Sequence, residues 1–342
     1  MPETTKRPGV SDHAKAMDVI IFWLDENELS KGITGIGHRV VHGGSSFVEP
    51  ALIDGAMLTE LVKLKPLAPN HLPHEILGIE ILMGLMPTVQ QVAAFDTAFH
   101  RTMPPVSTTY PLPIKLREAG IIRYGFHGLS YEYIMSLLAQ TNSGSGRVII
   151  AHLGHGSSMA AVKDGRCVDT SMGFTPSGGL VMSSRTGDMD PGAIIHLMTE
   201  LKMTVDEVFT LIYKKAGLLG ISGVSAEMRD LIEMSGKDDK ARLAVDVYCY
   251  NARKFIGAYM TALGGLDTLV FTAGIGENSP EVRSRICNGL GFAGVKIDSA
   301  KNNANSSVIS TPDSGVAVRV IKTNEELMVA RHAYEVVESK KA

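Results

Sequence analysis

The chain has 342 residues, 44% of them hydrophobic, and a formal charge of −3; this length suggests about two domains with ample apolar material for cores. So small a charge gives no reason to expect nucleic acid or an anionic membrane as partner, no run is long and apolar enough to span a bilayer, and the polar start Met-Pro-Glu-Thr-Thr-Lys-Arg-Pro carries no signal core. Cys167, Cys249 and Cys287 lie far apart without metal spacing, which points to a reduced, cytoplasmic protein.

Residues 11–29 read as an amphipathic helix, with Ser11 as N-cap and Ile20, Ile21, Phe22 and Leu24 as its apolar stripe. Residues 33–42 read as a strand; on it Arg39 and Val41 face one way, and His38, Val40 and His42 the other. Residues 51–64 look helical. A loop punctuated by Pro66, Pro69 and Pro73 carries His71, and a further helix is expected from His74. Val92 to Phe95 form a short buried strand ending in Asp96, the kind of position where α/β sheets place ligand chemistry. Pro104, Pro105, Pro111 and Pro113 mark a boundary near residues 97–112.

The second half opens with a meander of three strands, 148–152, 158–162 and 167–170. They are joined by Gly154-His155-Gly156 and by Asp164-Gly165, a hairpin signal. Helices are expected around 191–201, 205–215, 226–235 and 239–263. Residues 269–272 read as a buried strand running into Ala273-Gly274-Ile275-Gly276-Glu277-Asn278; Ser279 then caps a helix with Pro280 at its first position. A last strand covers 316–321, and a closing helix runs to about Val337. This alternation argues for an α/β protein of two similar lobes.

Two arginines, one aspartate and one histidine stand in Gly- or Pro-punctuated stretches, a set suited to phosphoryl transfer. Arg39 beside Val41 fits a short carboxylate, charge at one end and methyl at the other; its plain reading is a salt-bridged arginine. Arg185 sits in the polar loop Ser183-Ser184-Arg185-Thr186-Gly187-Asp188 and is weak evidence alone. Asp96 orients a nucleophile or holds Mg²⁺ through water, or merely caps the next turn. His127, between Phe126 and Gly128, stabilises charge on a transferring phosphoryl group, or is an ordinary loop histidine. Gly154–Gly156 and Gly274–Gly276 are candidate phosphate loops; a bare Gly-x-Gly is as well read as a tight turn, and neither is a dinucleotide fingerprint or a Walker loop. Eleven histidines raise a zinc hydrolase as a rival, but none has the spacing of a zinc motif.

The blocks 37–44, 67–73, 95–104, 124–130, 152–191, 271–278 and 323–327, in that order, resemble the acetate kinase family over about residues 12–338. The resemblance implies an α/β, two-lobed actin/sugar-kinase/Hsp70-like (ribonuclease H-like) fold. Residues 1–97 plus 327–342 would form the first lobe, 98–326 the second, nucleotide-binding lobe, with the site in the cleft. It also implies homodimers, ATP with Mg²⁺ (or Mn²⁺), and reversible direct transfer between ATP and acetate, giving acetyl phosphate and ADP. Carried over by position, Arg39 and Arg185 grip the carboxylate and the phosphoryl group, and Asp96 orients acetate or metal-bound water. His127 bonds the transferring phosphoryl group, and His71 lines the same cleft. Val41, Phe126 and Pro176 wall the methyl pocket, and Glu325 helps hold the metal. His152, Gly154, His155, Gly156, Glu227, Met228, Arg229, Gly274, Ile275, Gly276 and Asn278 hold the nucleotide.

Three departures from the family pattern stand out. The family's opening strand, running into Asn-Ala-Gly-Ser-Ser-Ser-Leu-Lys, has no counterpart in residues 1–17. The expectation is therefore an incomplete first lobe, from a late start or a true truncation, and an open apolar edge at the Arg39 strand. His155 stands where the family usually has asparagine. Asn70 replaces an apolar residue, which bears on the choice among acetate, propionate and butyrate, and Glu227 replaces an aspartate. The alternative function is a truncated, catalytically weak relative that binds nucleotide or a partner.

Overall fold

The computed structural model describes residues 13–141 and 144–340; Ser11, the expected cap of the first helix, lies outside the described residues. The chain divides into two compact units, Met1–Ala98 with Glu326–Ala342, and Phe99–Glu325.

The first unit contains α1 (His13–Glu26), β1 (Gly35–Val40), β2 (Ala51–Leu52), α2 (Gly55–Leu64), α3 (Leu72–Leu85), β3 (Gln90–Phe95) and nearly all of the closing helix (Glu325–Ser339). Its sheet has the order β1-β3-β2, with β1 parallel and β2 antiparallel to β3. Central β3 is buried from Gln91 to Phe95, so it is apolar on both faces rather than alternating. Val92 packs on Ala333 and Val337 of the closing helix. Gly37 is needed for this contact: a Cβ there would stand 2.6 Å from Val329 Cγ1, well inside van der Waals distance. Among the described strands β1 lies at a sheet edge, as expected for the strand bearing Arg39.

Three boundaries differ from the sequence reading. The strand ends at Val40, so alternation does not reach Val41: the Arg39 side chain is 39% exposed, whereas Val41 is buried. The stretch 51–64 is not one helix, because residues 51–52 pair with β3 and the Asp54 carboxylate, accepting the Met57 N–H at 2.8 Å, starts α2 only at Gly55. Helix α3 starts at Leu72 rather than His74; Pro73 fits its first turn, where a missing N–H breaks no helical bond.

The second unit runs through α4 (Pro105–Thr108), α5 (Ile114–Glu118), α6 (Gly128–Gln140), β4 (Arg147–Leu153), β5 (Ser157–Lys163), β6 (Arg166–Thr170), α7 (Pro191–Thr199) and α8 (Val205–Lys214). It continues with α9 (Gly217–Ser222), α10 (Met228–Met234), α11 (Asp239–Leu263), β7 (Thr268–Thr272), α12 (Ala273–Asn278), α13 (Pro280–Cys287), α14 (Ser299–Asn303) and β8 (Ala317–Val320). The closing helix is α15. Its sheet has the order β6-β5-β4-β7-β8, antiparallel through β6-β5-β4 and parallel through β4-β7-β8. The two sheets therefore differ, three strands against five among the described residues, where the strand–helix alternation suggested similar lobes.

Period-two alternation sorts the β4 side chains onto two cores. Ile149, Ala151 and Leu153 face a core shared with α11 residues such as Val245, Tyr248 and Ile256. Val148 and Ile150 face Tyr131, Ile134 and Leu138 of α6. Asp164 and Gly165 turn the β5–β6 hairpin with φ of 50° and 79°, the pair of positive angles that a type I′ turn requires. Ser279 caps α13 as expected, accepting the Val282 N–H.

Candidate active site

In the first unit, three charged side chains meet at the ends of β1 and β3 and the start of α3. Arg39 holds Asp96 with Nη2 to Oδ2 at 2.7 Å and Nε to Oδ1 at 3.1 Å. The Asp96 carboxylate is 1% exposed; it follows five buried residues of β3, and its N–H donates to Val40 O. Glu75, on the first turn of α3, accepts the Val41 N–H at 3.1 Å. Burial pushes the Glu75 carboxyl up to about 7, the Val41 N–H pulls it down, and the negative charge of Asp96 adds to the rise. His71 is the residue before α3, in the same turn. Nothing in the local sequence marks Glu75, which became visible only when α3 was packed on β1.

In the second unit, His127 precedes α6 in the left-handed conformation, φ 60°. Phe126 beside it is buried, and its carbonyl meets His100 Nε2 at 3.0 Å. The His127 ring stacks on His152 with centroids 4.1 Å apart. Its Nδ1 bonds Ser158 Oγ at 2.8 Å, while His152 Nδ1 bonds Ser130 Oγ at 2.9 Å and lies 3.9 Å from the Glu325 carboxylate. Gly156 marks where the expected residues converge: a Cβ there would stand 3.4 Å from His127 Nε2 and 3.6 Å from Arg185 Nη1. A Cβ at 156 would sit in van der Waals contact with both.

Arg185 is desolvated, and burial lowers its pKa from the usual arginine value. Its Nη1 donates to Pro176 O at 2.9 Å, and among the described residues no carboxylate pairs with it. A buried cation balanced only by dipoles is a strong anion attractor.

The nucleotide candidates line a cavity of 620 Å³, whose wall includes Gly154, His155, Glu227, Arg229, Ile275 and Asn278, with Met228 and Gly274 also on it. Two of the departures named above, at 155 and 227, are partners: His155 Nε2 lies 2.8 Å from Glu227 Oε1. Three expected members do not line this cavity. His152 and Gly156 belong to the His127 group, and Gly276 is buried within α12. The Gly274–Gly276 segment is a helical turn and not a loop. Glu277 accepts the Ala273 N–H at 2.8 Å and the Thr323 N–H at 3.0 Å, and fully buried Arg283 donates to Gly276 O and Glu277 O. Those bonds hold the coil-prone glycines in helical geometry.

Among the described residues no three His, Cys, Asp or Glu side chains converge as a metal cage. Mg²⁺ commonly uses only one or two carboxylates and takes the rest of its ligands from phosphate oxygens and water, so the lack of such a cage does not bear on it. Sequence reasoning missed Ser158, Tyr131 and Ser130. A signal existed for the first: closing the hairpin through Gly154-His155-Gly156 places Ser158 directly opposite His152.

The model of the acetokinase family matches residues 3–331 of the chain. An acetate kinase of Clostridium novyi (strain NT) is 44% identical over 341 residues, covering 96% of this chain and 85% of that relative. A propionate kinase structure from Francisella tularensis subsp. tularensis SCHU S4 superposes with a TM-score of 0.92 at 38% identity, covering 95% of this chain and 85% of that one. For an acetate kinase structure from Porphyromonas gingivalis the TM-score is 0.88 at 37% identity, with the same coverages.

Proposed function

The chain belongs to the acetokinase family, and on that premise we propose that it is an ATP-dependent acetate kinase, passing a phosphoryl group reversibly and in line between ATP and acetate to give ADP and acetyl phosphate. No covalent enzyme intermediate is needed, because catalysis of this transfer rests on positioning and charge neutralisation. The observation that carries the residue roles is Arg185, a desolvated guanidinium beside His127 with no carboxylate partner among the described residues.

Arg185 and His127 stabilise charge on the phosphoryl group in flight. Arg39 grips the acetate carboxylate, and Asp96 acts through Arg39, whose bidentate contact supports a holding role. By the family resemblance, His71 and Val41 of the first unit and Phe126 and Pro176 of the second each take a role in binding the acid. The 620 Å³ cavity takes adenosine, with Glu227 and Arg229 as its polar wall and Gly154, His155, Gly274 and Asn278 toward the phosphates. Glu325 holds Mg²⁺ (or Mn²⁺), which when bound neutralises the polyphosphate charge. Each methylene separating acetate, propionate and butyrate is worth only ~1–3 kcal/mol of discrimination. The working form is a cytoplasmic homodimer without nucleic acid or membrane partners, in keeping with three buried, unbridged cysteines and a charge of −3.

The weak binder considered from the sequence is not favoured, because the resemblance spans both units rather than the nucleotide side alone. Acetyl phosphate formation, trapped as hydroxamate, tests the assignment. Arg185→Ala is expected to lower kcat by ~10²–10³, about 3–4 kcal/mol. Turnover near that of the unaltered protein would remove Arg185 from the mechanism.

A further inference from the structure

His127 stands at the end of a buried hydroxyl chain. Its Nδ1 meets Ser158 Oγ at 2.8 Å, and the same Oγ is hydrogen-bonded to the Tyr131 hydroxyl. Both Ser158 and Tyr131 are fully buried. The chain is a product of the fold: β4–β5 pairing sets His152 opposite Ser158, and the first turn of α6 sets Ser130 over one and Tyr131 over the other. The His152 ring stacks on His127 and restrains its plane; the question is then which ring nitrogen carries the proton.

We propose that Tyr131 and Ser158 are positioning residues that fix neutral His127 as the tautomer protonated at Nε2, the nitrogen beside Arg185. Each hydroxyl has one proton to give. A phenol, with a pKa near 10, is a better donor than a serine hydroxyl, and the serine oxygen is the better acceptor. Tyr131 therefore donates to Ser158, and the serine proton is left to point at His127 Nδ1, which must accept. Nδ1 is then bare and the ring proton sits on Nε2. That nitrogen lies where a Cβ on Gly156 would touch both it and Arg185 Nη1. The ring thus donates a hydrogen bond toward the same spot as the buried arginine, as a developing phosphoryl charge requires. The opposite tautomer would aim a lone pair at that anion. The relay's catalytic meaning rests on the kinase reading; its tautomer assignment does not.

The test is ¹⁵N NMR of histidine-labelled full-length protein above the pH where the ring is neutral, with His127 assigned by loss of its signals in His127→Gln. The expected result is Nε2–H in the unaltered protein, and a mixed or Nδ1–H population in Tyr131→Phe and Ser158→Ala. In both variants kcat for acetyl phosphate formation should fall about tenfold or more, with KM for ATP and acetate within about twofold, and Ser158→Thr should recover most of it. Tyr131→Phe preserves shape, so the question stays answerable if Ser158→Ala does not fold. An Nδ1–H tautomer in the unaltered protein, or Nε2–H shifts untouched in a folded variant, overturns the relay. An unaltered protein that forms no acetyl phosphate overturns the kinase reading, while the NMR result still decides the tautomer.

Discussion

At Glu75 desolvation and the nearby Asp96 charge outweigh the help of the Val41 N–H and of Arg39, and the carboxyl rises from 4.5 to about 7. A carboxyl whose folded pKa lies above its unfolded value binds its proton more tightly in the native state. Its stabilising contribution is complete below about 4.5 and is lost as pH rises through about 7. The difference corresponds to roughly 3 kcal/mol as an upper bound. Glu75→Gln keeps an acceptor for Val41 and removes the titration. Urea denaturation should find the variant more stable than the unaltered protein at pH 8 and indistinguishable at pH 4; equal stability at both pH values would refute this account. The His155–Glu227 contact makes a second prediction at this scale. Both side chains are largely exposed, so the pair adds little stability, but it lies on the cavity wall. His155→Asn should leave melting unchanged and shift KM for ATP by about two- to tenfold, corresponding to one exchanged hydrogen bond; an unchanged KM would place the pair outside nucleotide binding.

Helix α12 is six residues with two glycines and has little helical propensity of its own. Its geometry is imposed by Glu277 at one end and Arg283 at the other. Arg283 spends its donors on Asn302 Oδ1, Asn302 O, Asn305 Oδ1, Gly276 O and Glu277 O, so it ties α12 to α14 without any carboxylate. Arg283→Met would orphan several buried acceptors at once. The expected loss is about 2–4 kcal/mol in urea denaturation, together with a higher KM for ATP; a stable variant with normal ATP affinity would show that α12 holds itself.

Across the whole molecule, protection should follow burial. In the second unit β4 is buried from Val148 to Leu153 and is hydrogen-bonded on both sides, whereas none of the α1 residues from Lys15 to Glu26 is buried. Hydrogen exchange should therefore be slowest along β4, β5 and β7 and fastest in α1. ATP at about 100 times its Kd should stabilise the unit holding its cavity by ~2.7 kcal/mol, slowing exchange there. Exchange in α1 as slow as in β4 would contradict this reading.

The elements most legible in the sequence were those whose signals lie within a few residues. The Asp164-Gly165 turn, the Ser279-Pro280 start and the 239–263 helix, capped by Asp238 and ended by Gly264 in a left-handed conformation, are all written locally. The helical stripe of α6 at Tyr131, Ile134, Met135 and Leu138 is equally local, but Gly125 and Gly128 on either side of His127 are equally compatible with a loop. The motif blocks identified the family for the same reason: each is a short run whose order along the chain suffices. What the tertiary structure alone decided are contacts between residues far apart in sequence. Arg39 meets Asp96 across 57 positions, His155 meets Glu227 across 72, and Ser130 meets Thr323 across 193. The protonation of Glu75, the helical form of 273–278 and the hydroxyl chain behind His127 all depend on such partners. Desolvation and hydrogen-bond direction belong to a packed environment, and no window of sequence contains that environment until strands have paired and helices have closed over them.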